Sequence, residues 1–127
     1  MSYAKKNLHD VEDMAVKHGL SATQQARFPR GDLGAEQTGL NYLIIKAGQR
    51  EAFAHRHREA EEIYVVLAGS GRVKLDDEFV DLAPLDAVRV SPGVTRCFQA
   101  GGDDLEVLVF GPHVDGDAEM VGDFWGE

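Results

Sequence analysis

Residues 55–69 read HRHREAEEIYVVLAG and combine two histidines, a polar connection and an apolar run in one stretch. His55 and His57 are two positions apart, so in an extended strand both imidazoles project from the same face. Glu62 lies five positions beyond His57 and opens the apolar run at residues 63–67. If the connection forms a hairpin, the Glu62 carboxylate can converge on the two imidazoles.

These three side chains offer two neutral nitrogen donors and one anionic oxygen donor. This set holds non-haem iron, manganese, nickel or zinc and leaves coordination positions open for water or substrate. The spacing therefore indicates a candidate divalent-metal site at His55, His57 and Glu62. The alternative is that residues 55–59 form a polar surface loop that binds nothing.

The glycines around this stretch complete a pattern that resembles the first motif of the cupin superfamily. Six residues separate Gly48 from the first histidine, and six separate Glu62 from Gly69. The run EEIYVVLAGSG at residues 61–71 is similar to the strand and turn of that family. The resemblance implies an all-β fold, the jelly-roll-like barrel called a double-stranded β-helix, but it does not fix an activity.

Residues 85–100 resemble the second cupin motif, with four departures from it. The departures are Leu85 for a usual glycine, Ser91 for a usual proline, Arg96 for the third metal-binding histidine and Ala100 for a common asparagine. The change at Arg96 bears on chemistry, because the resemblance otherwise implies a histidine ligand there.

Arg96 cannot replace that histidine as a ligand, since a guanidinium stays protonated and has no lone pair for a metal. If it points inward it repels a cation, by about 4 kcal/mol for unit charges 4 Å apart at an effective dielectric of 20. It would instead pair with the Glu62 carboxylate and balance the site without metal. Against this, His55, His57 and Glu62 remain a complete ligand set, and Arg96 could bind a substrate carboxylate. The sequence leaves both alternatives open.

Three residues are candidates for binding a substrate beside the metal candidates: Arg96, Tyr64 and Phe98. Tyr64 shares the strand face of Glu62, and Phe98 shares the face of Arg96 and would form an apolar wall. The alternative for Tyr64 is a packed barrel tyrosine with a satisfied hydroxyl group. Cys97 projects to the opposite face and is expected to be a small buried side chain rather than a nucleophile.

Short apolar runs divided by turn residues predict a β-sandwich or barrel preceded by one short helix. The helix is expected within residues 10–19, with Asp10 as its N-cap and Gly19 just past its end. The predicted strands are 40–46, 63–68, 72–75, 79–82, 87–90, 96–99 and 105–111.

The chain is expected to divide into three parts: an N-terminal helix and arm at 1–39, a cupin barrel at 40–111 and a tail at 112–127. Phe124 and Trp125 near the end are expected to dock either on the same barrel or on a second subunit. A homodimer is expected, because cupins often pair and a second subunit can cover the sheet edges of a small barrel.

The charge balance excludes two classes of partner. The 127 residues include 13 Lys and Arg against 22 Asp and Glu, which gives a net charge of −9 without a basic run that could follow a phosphate backbone. Nucleic acid and membrane surfaces are therefore not expected partners, and no apolar stretch is long enough to span a bilayer. Cys97 is the only cysteine, so no intrachain disulfide can form, as expected of a cytoplasmic protein.

These features predict the binding of a small polar or anionic molecule in the barrel, either at a divalent metal held by His55, His57 and Glu62 or without one. One alternative is a metal-dependent enzyme of dioxygenase or isomerase type, built on His55, His57 and Glu62. Another is a metal-free binding protein in which Arg96 is paired to Glu62. A third is a structural dimer with a vestigial site. The reaction and the substrate stay open.

Overall fold

The computed structural model describes residues 2–126, which form ten β-strands in two antiparallel sheets. Two helices of four residues each, α1 (Met14–Lys17) and α2 (Arg30–Leu33), flank the first strand. No helix in this described part of the chain is long and apolar enough to cross a membrane. The strands are β1 (Gln24–Arg27), β2 (Thr38–Ile45), β3 (Ala54–His57), β4 (Glu62–Ala68), β5 (Gly71–Leu75), β6 (Glu78–Leu82), β7 (Ala87–Val90), β8 (Arg96–Ala100), β9 (Leu105–Pro112) and β10 (Ala118–Val121).

The two sheets have five strands each and pack against one another. The first sheet has the strand order β1-β2-β9-β4-β7, and the second has the order β10-β3-β8-β5-β6. Only β1 with β2 and β5 with β6 are neighbours both in sequence and in a sheet, so most pairing joins distant parts of the chain. This arrangement confirms the predicted all-β barrel with a short N-terminal helix.

Alternation along β4 separates the interior from the surface. Tyr64 and Val66 are buried at 2% and 0% exposure, whereas Ile63 between Glu62 and Tyr64 is exposed. Phe98 of the opposite sheet belongs to the same buried cluster. A fully buried side chain of this size stabilises the fold by about 1.5–3 kcal/mol. Because Glu62 lies on the same inward face of β4 as these buried residues, its carboxylate points into the barrel interior.

All seven predicted strands are present, and their ends differ from the prediction by at most two residues. The sequence pattern does not predict three further strands, β1, β3 and β10. Their sequences QQAR, AHRH and AEMV contain few of the β-branched and aromatic side chains that favour strands. Strands β1 and β10 each form the edge of one sheet and lie outside residues 40–111. They are strands because they pair with β2 and β3, and not because their own residues favour strands.

The N-terminal helix is shorter than predicted and begins later. A 3₁₀ turn occupies Leu8–Asp10, and α1 begins only after Asp13. The prediction that Asp10 caps the helix is therefore wrong. One Asp13 carboxylate oxygen accepts the N–H of Ala15 at 3.0 Å and a backbone N–H of β1 at 2.9 Å. Because Asp13 is tied to β1, the residues before it cannot continue the helix. Gly19 follows the helix with a φ of +73°.

Two turns carry positive φ angles at positions of the sequence motifs. Gly69 has a φ of +81°, and a Cβ atom there would lie 2.0 Å from the carbonyl oxygen of Asp104. No larger residue fits this turn. Leu85 has a φ of +71° and is 80% exposed. It therefore adopts a left-handed conformation at the position where the second motif usually has glycine.

The C-terminal residues fold back onto the barrel of their own chain. The Trp125 ring lies 6.1 Å from the ring of Phe79 in β6. The Arg50 guanidinium lies 4.3 Å from the centre of the Trp125 ring, and the Lys74 ammonium lies 4.4 Å from that of Phe124. The sequence leaves open whether the aromatic tail docks on its own barrel or on a second subunit, and in this structure it docks on its own barrel.

Candidate functional site

Three strands bring the predicted site residues together inside the barrel. Strand β3 carries His55 and His57 on one face, and the register of β3 with β8 pairs His55 with Arg96. Strand β4 of the other sheet begins at Glu62. The two histidines and the glutamate therefore meet between the sheets, as predicted. The connection is not the expected hairpin, because β3 and β4 do not pair and residues 58–61 cross from one sheet to the other.

The Glu62 carboxylate lies at the centre of this group. Its Oε1 atom is 3.3 Å from Nε2 of His57 and 3.7 Å from Nε2 of His55. One ligand atom from each of the three residues lies within 4.8 Å of the others. The two imidazole rings stand 5.2 Å apart and nearly perpendicular. These side chains are mostly buried, with a small exposed fraction that leaves them reachable.

Arg96 points into the barrel and is fully buried, at 0% exposure. Its Nη2 donates to Oε1 of Glu62 at 2.5 Å, its Nε to the hydroxyl of Tyr64 at 3.0 Å and its Nη1 to the carbonyl of Val94 at 2.9 Å. The Tyr64 hydroxyl donates to the same Glu62 oxygen at 2.8 Å. All three guanidinium nitrogens are thus occupied by the protein.

This network fixes the charge states at the centre of the site. Burial would raise the pKa of Glu62, but the neighbouring His55, His57 and Arg96 side chains outweigh it and hold the pKa well below its usual range. Burial raises the pKa of the Tyr64 phenol well above its usual value. Glu62 is therefore an anion paired with the Arg96 cation, and Tyr64 stays a neutral hydrogen-bond donor.

Asp117 is a site residue that sequence reasoning missed. Its carboxylate is buried, accepts the N–H groups of Glu59 and Ala60 at 2.8 and 2.9 Å, and lies 3.2 Å from Nδ1 of His57. These bonds outweigh burial and lower the pKa of Asp117. Asp117 thereby holds the His57 ring with Nε2 directed at Glu62. Asp117 lies in the predicted tail, 60 residues beyond His57, so no local motif marks it.

The pKa of His57 is raised by this environment. The contact of 3.3 Å with the Glu62 carboxylate is the largest cause, and it exceeds the opposing effect of partial burial. The Asp117 contact adds to the increase, and the charge of Arg96 reduces it. His57 therefore lies between two carboxylates and can exchange a proton at Nε2, the atom nearest the interior.

A cavity of about 260 Å³ adjoins the site. Its wall includes His55, His57, Glu62 and Tyr64 together with apolar side chains from both sheets. Arg96 and Phe98, the other predicted substrate-binding residues, do not line it. The Phe98 ring packs 4.8 Å from that of Tyr64 and supports it from the core. The substrate-binding roles of these residues stay predictions.

Glu51 is a second residue of the cavity wall that sequence reasoning missed. Its Oε1 accepts the N–H of Phe98 at 3.2 Å, which holds the carboxyl group against β8. Burial raises the pKa of Glu51, although the charge of His55 opposes the increase. The cavity is therefore lined by two carboxyl groups whose pKa values are shifted in opposite directions, downward at Glu62 and upward at Glu51.

The donor distances around Glu62 fit a divalent metal, but the charges do not. Ligand bonds of about 2.0–2.2 Å place neighbouring donor atoms roughly 3–4 Å apart, as His55, His57 and Glu62 are here. The Arg96 cation, however, lies 2.5 Å from the carboxylate oxygen that such an ion would need. Repulsion between unit charges at 4 Å is about 4 kcal/mol even at an effective dielectric of 20. The neutralising cation is already supplied by the protein.

Comparisons with known proteins agree on the fold. The family model described as the cupin domain matches residues 41–111. No curated protein matches the sequence. A cupin protein from Bacteroides fragilis is similar in structure, with a TM-score of 0.72 and 21% identity over 91% of this chain and 88% of that chain. Streptomyces PAC13 with uridine has a TM-score of 0.72 and 18% identity over 95% and 92% of the chains. The DMSP lyase DddQ from Ruegeria pomeroyi has a TM-score of 0.71 and 18% identity over 99% and 63%.

Proposed function

The chain belongs to the cupin domain family, and we propose that it binds a small polar or anionic molecule in the barrel cavity without requiring a metal ion. The observation that carries this proposal is the contact of 2.5 Å between Arg96 and Glu62. It places a permanent cation where the second cupin motif usually offers a histidine. The carboxylate therefore has its counter-charge before any ligand or ion arrives.

The remaining groups of the cavity suit a polar ligand. His57 presents Nε2 and is oriented from behind by Asp117 at 3.2 Å. Tyr64 and Glu51 add a hydroxyl and a carboxyl group to the same wall. Proton donors and acceptors in a mostly apolar cavity are what a small-molecule site needs for orientation. The same groups could move a proton on a bound substrate, so acid–base catalysis is compatible with this site.

The similar structures support a small-molecule role in general terms. They include PAC13 with uridine, a DMSP lyase and an oxalate decarboxylase from Bacillus subtilis. Each shares 22% or less of its sequence with this chain. Their ligands and reactions are therefore not transferred to this protein, and the proposal rests on the residues of its own cavity.

A metal-dependent enzyme of dioxygenase or isomerase type is the second candidate. The observation that favours it is the convergence of His55, His57 and Glu62, whose ligand atoms lie within 4.8 Å of one another. These residues would hold iron, manganese, nickel or zinc. Such an ion would supply Lewis-acid chemistry when bound.

Elemental analysis separates the two candidates. The protein is purified without chelators from medium supplemented with iron, manganese, nickel and zinc, and its metal content is compared with that of His57→Ala. We expect the wild type to carry far less than one ion per chain and to match the variant. About one ion per wild-type chain, lost in His57→Ala, would establish the metal-dependent candidate instead.

We also propose a cytoplasmic homodimer in which the 40–111 barrel is flanked by the 1–39 arm and the 112–127 tail. Ile63 and Phe110 form a cross-strand pair on the outer face of the first sheet, and both are exposed at 41% and 38%. A second subunit that covers this face would remove apolar surface from water. Sedimentation should give about twice the chain mass of 13.9 kDa. A mass of one chain at micromolar concentration would contradict the dimer.

A further inference from the structure

A second cavity, of about 390 Å³, adjoins Glu62 from the side of the N-terminal arm. It shares His57, Glu62 and Asn41 with the first cavity, so the two spaces meet at the centre of the site. Its own wall includes Arg30, the first residue of α2, which lies outside both cupin motifs. A ligand that contacts His57 can therefore extend toward Arg30.

Arg30 is an arginine without a protein partner. Within residues 2–126, its half-buried side chain has no hydrogen bond or ion pair, and its Nε is buried and unpaired. The other arginines of this part of the chain each have a partner. Arg56, for example, pairs with Glu119 at 2.9 Å. A buried donor that lacks a partner is costly, so a group supplied from outside would be favourable there.

Asn41 offers a second uncommitted donor on the wall of the same cavity. Its side chain lies on the inner side of β2, lines both cavities and has no hydrogen-bond partner among residues 2–126. The only acidic residue on the wall of the second cavity is Glu62, and Arg96 already balances its charge. The wall is therefore locally positive, in a protein whose net charge is −9.

We propose that Arg30 and Asn41 bind the anionic group of the ligand, a carboxylate or a phosphate, and that the rest of the ligand reaches His57 and Glu62. This inference rests on the proposed small-molecule function and names the class of ligand. A guanidinium pairs with either anion through two parallel hydrogen bonds. The sequence motif suggests Arg96 for anion recognition, but each nitrogen of the Arg96 guanidinium already donates to Glu62, Tyr64 or Val94, and Arg96 lines neither cavity.

An NMR titration with simple probes tests this inference. Inorganic phosphate, acetate and its neutral analogue acetamide are added separately at constant ionic strength. The Nε–Hε signal of Arg30 and the imidazole signals of His57 are followed. We expect at least one of the two anions to shift the Arg30 signal with saturation, and acetamide to leave it unchanged. The anion that binds more tightly distinguishes a phosphate-bearing from a carboxylate-bearing ligand.

Three variants complete the test. Arg30→Gln should weaken anion binding at least about tenfold, since a hydrogen bond to a charged group has roughly that effect. Arg30→Lys should retain part of it, and Arg58→Gln, which removes an exposed charge, should bind like the wild type. No shift of Arg30 with either anion, or equal affinity in wild type and Arg30→Gln, would overturn the inference. If the probes shift His57 with the same affinity in wild type and Arg30→Gln, the cavity binds small molecules and only the role of Arg30 fails.

Discussion

Nη2 of Arg96 lies 2.5 Å from Oε1 of Glu62, and breaking this contact would leave a buried charge without its partner. Removing one partner of a buried ion pair costs about 3–5 kcal/mol, because the other charge is left uncompensated. The pair is therefore a fixed part of the barrel interior. Its consequence for function is that His55 and His57 face a carboxylate whose charge is already neutralised.

The protonation of His57 should depend on Glu62. Glu62→Gln removes the largest cause of the raised His57 pKa, so the pKa should fall toward 6.5, its usual value. The imidazole signals are followed by NMR across a pH series. Glu61→Gln, which removes a neighbouring exposed carboxylate, is the matched control and should titrate like the wild type. If the NMR titration curves of His57 are the same in wild type and Glu62→Gln, the contact between His57 and Glu62 does not raise the His57 pKa.

The same shift makes stability depend on pH in a defined direction. The pKa of His57 is higher in the folded state than in the unfolded state, so folding favours the protonated imidazole. This contribution is fully present below pH 6.5 and is lost as the pH rises through the folded pKa. Urea unfolding should therefore show that the free energies of unfolding of wild type and His57→Gln differ by less as the pH rises above 6.5. If the difference in the free energy of unfolding grows with pH instead, the His57 pKa is lowered on folding and the prediction is contradicted.

Replacing Leu85 with glycine, the residue that the cupin motif usually has at this position, should stabilise the protein. A left-handed backbone costs a non-glycine residue about 1–2 kcal/mol, and the entropy of a glycine offsets about 0.5–1 kcal/mol of the gain. Leu85→Gly should therefore raise the free energy of unfolding by about 0.5–1 kcal/mol, measured in urea. Leu85→Ala is the control, because it removes the exposed side chain but keeps the strain. Equal stability of the two variants would argue against strain at Leu85.

The docked tail should protect Cys97 from thiol reagents. Burial, followed by the charge of Glu51, raises the pKa of Cys97 to about 12, and Cys97 lines a cavity together with Trp125. The wild type should react slowly with a disulfide reagent at pH 8, and Trp125→Ala should react at least about tenfold faster. Phe110→Ala, on the other sheet, should not change the rate. Fast labelling of the wild type would mean that the tail does not cover this face.

The first cupin motif can be predicted from sequence because its geometry is local. A period of two places His55 and His57 on one face, and a connection of four residues crosses to the opposite sheet and brings Glu62 to them. The pairing of Arg96 with Glu62 is one of the two alternatives that the sequence leaves open once the second motif is aligned, and the structure has this one. These parts of the site depend on residues whose spacing or charge limits their possible partners.

The remaining site residues depend on long-range topology. Asp117 reaches His57 only because β10 pairs with β3, and Arg30 reaches the cavity only because α2 follows β1 at the edge of the other sheet. Neither edge strand has the composition that favours β-structure. Glu51 likewise lies in an irregular segment, which a backbone bond from Glu51 N–H to Phe98 holds against β8 at 2.8 Å.

The proposal that Arg96 takes the place of a metal ion is tested most directly by nickel or zinc affinity in Arg96→His. This change removes the cation and restores a possible third histidine beside His55, His57 and Glu62. Arg96→Lys, which keeps the charge, and His57→Ala, which removes a ligand, are the controls, and circular dichroism checks that each variant is folded.

Competition titration against a chromophoric chelator gives the affinities. Arg96→His should bind nickel at least about tenfold more tightly than the wild type, because the lost repulsion exceeds the 1.4 kcal/mol that this factor requires. Arg96→Lys should stay as weak as the wild type. Equal nickel affinity in folded wild type and folded Arg96→His would contradict the account, since the Arg96 cation would then not be what keeps the metal out.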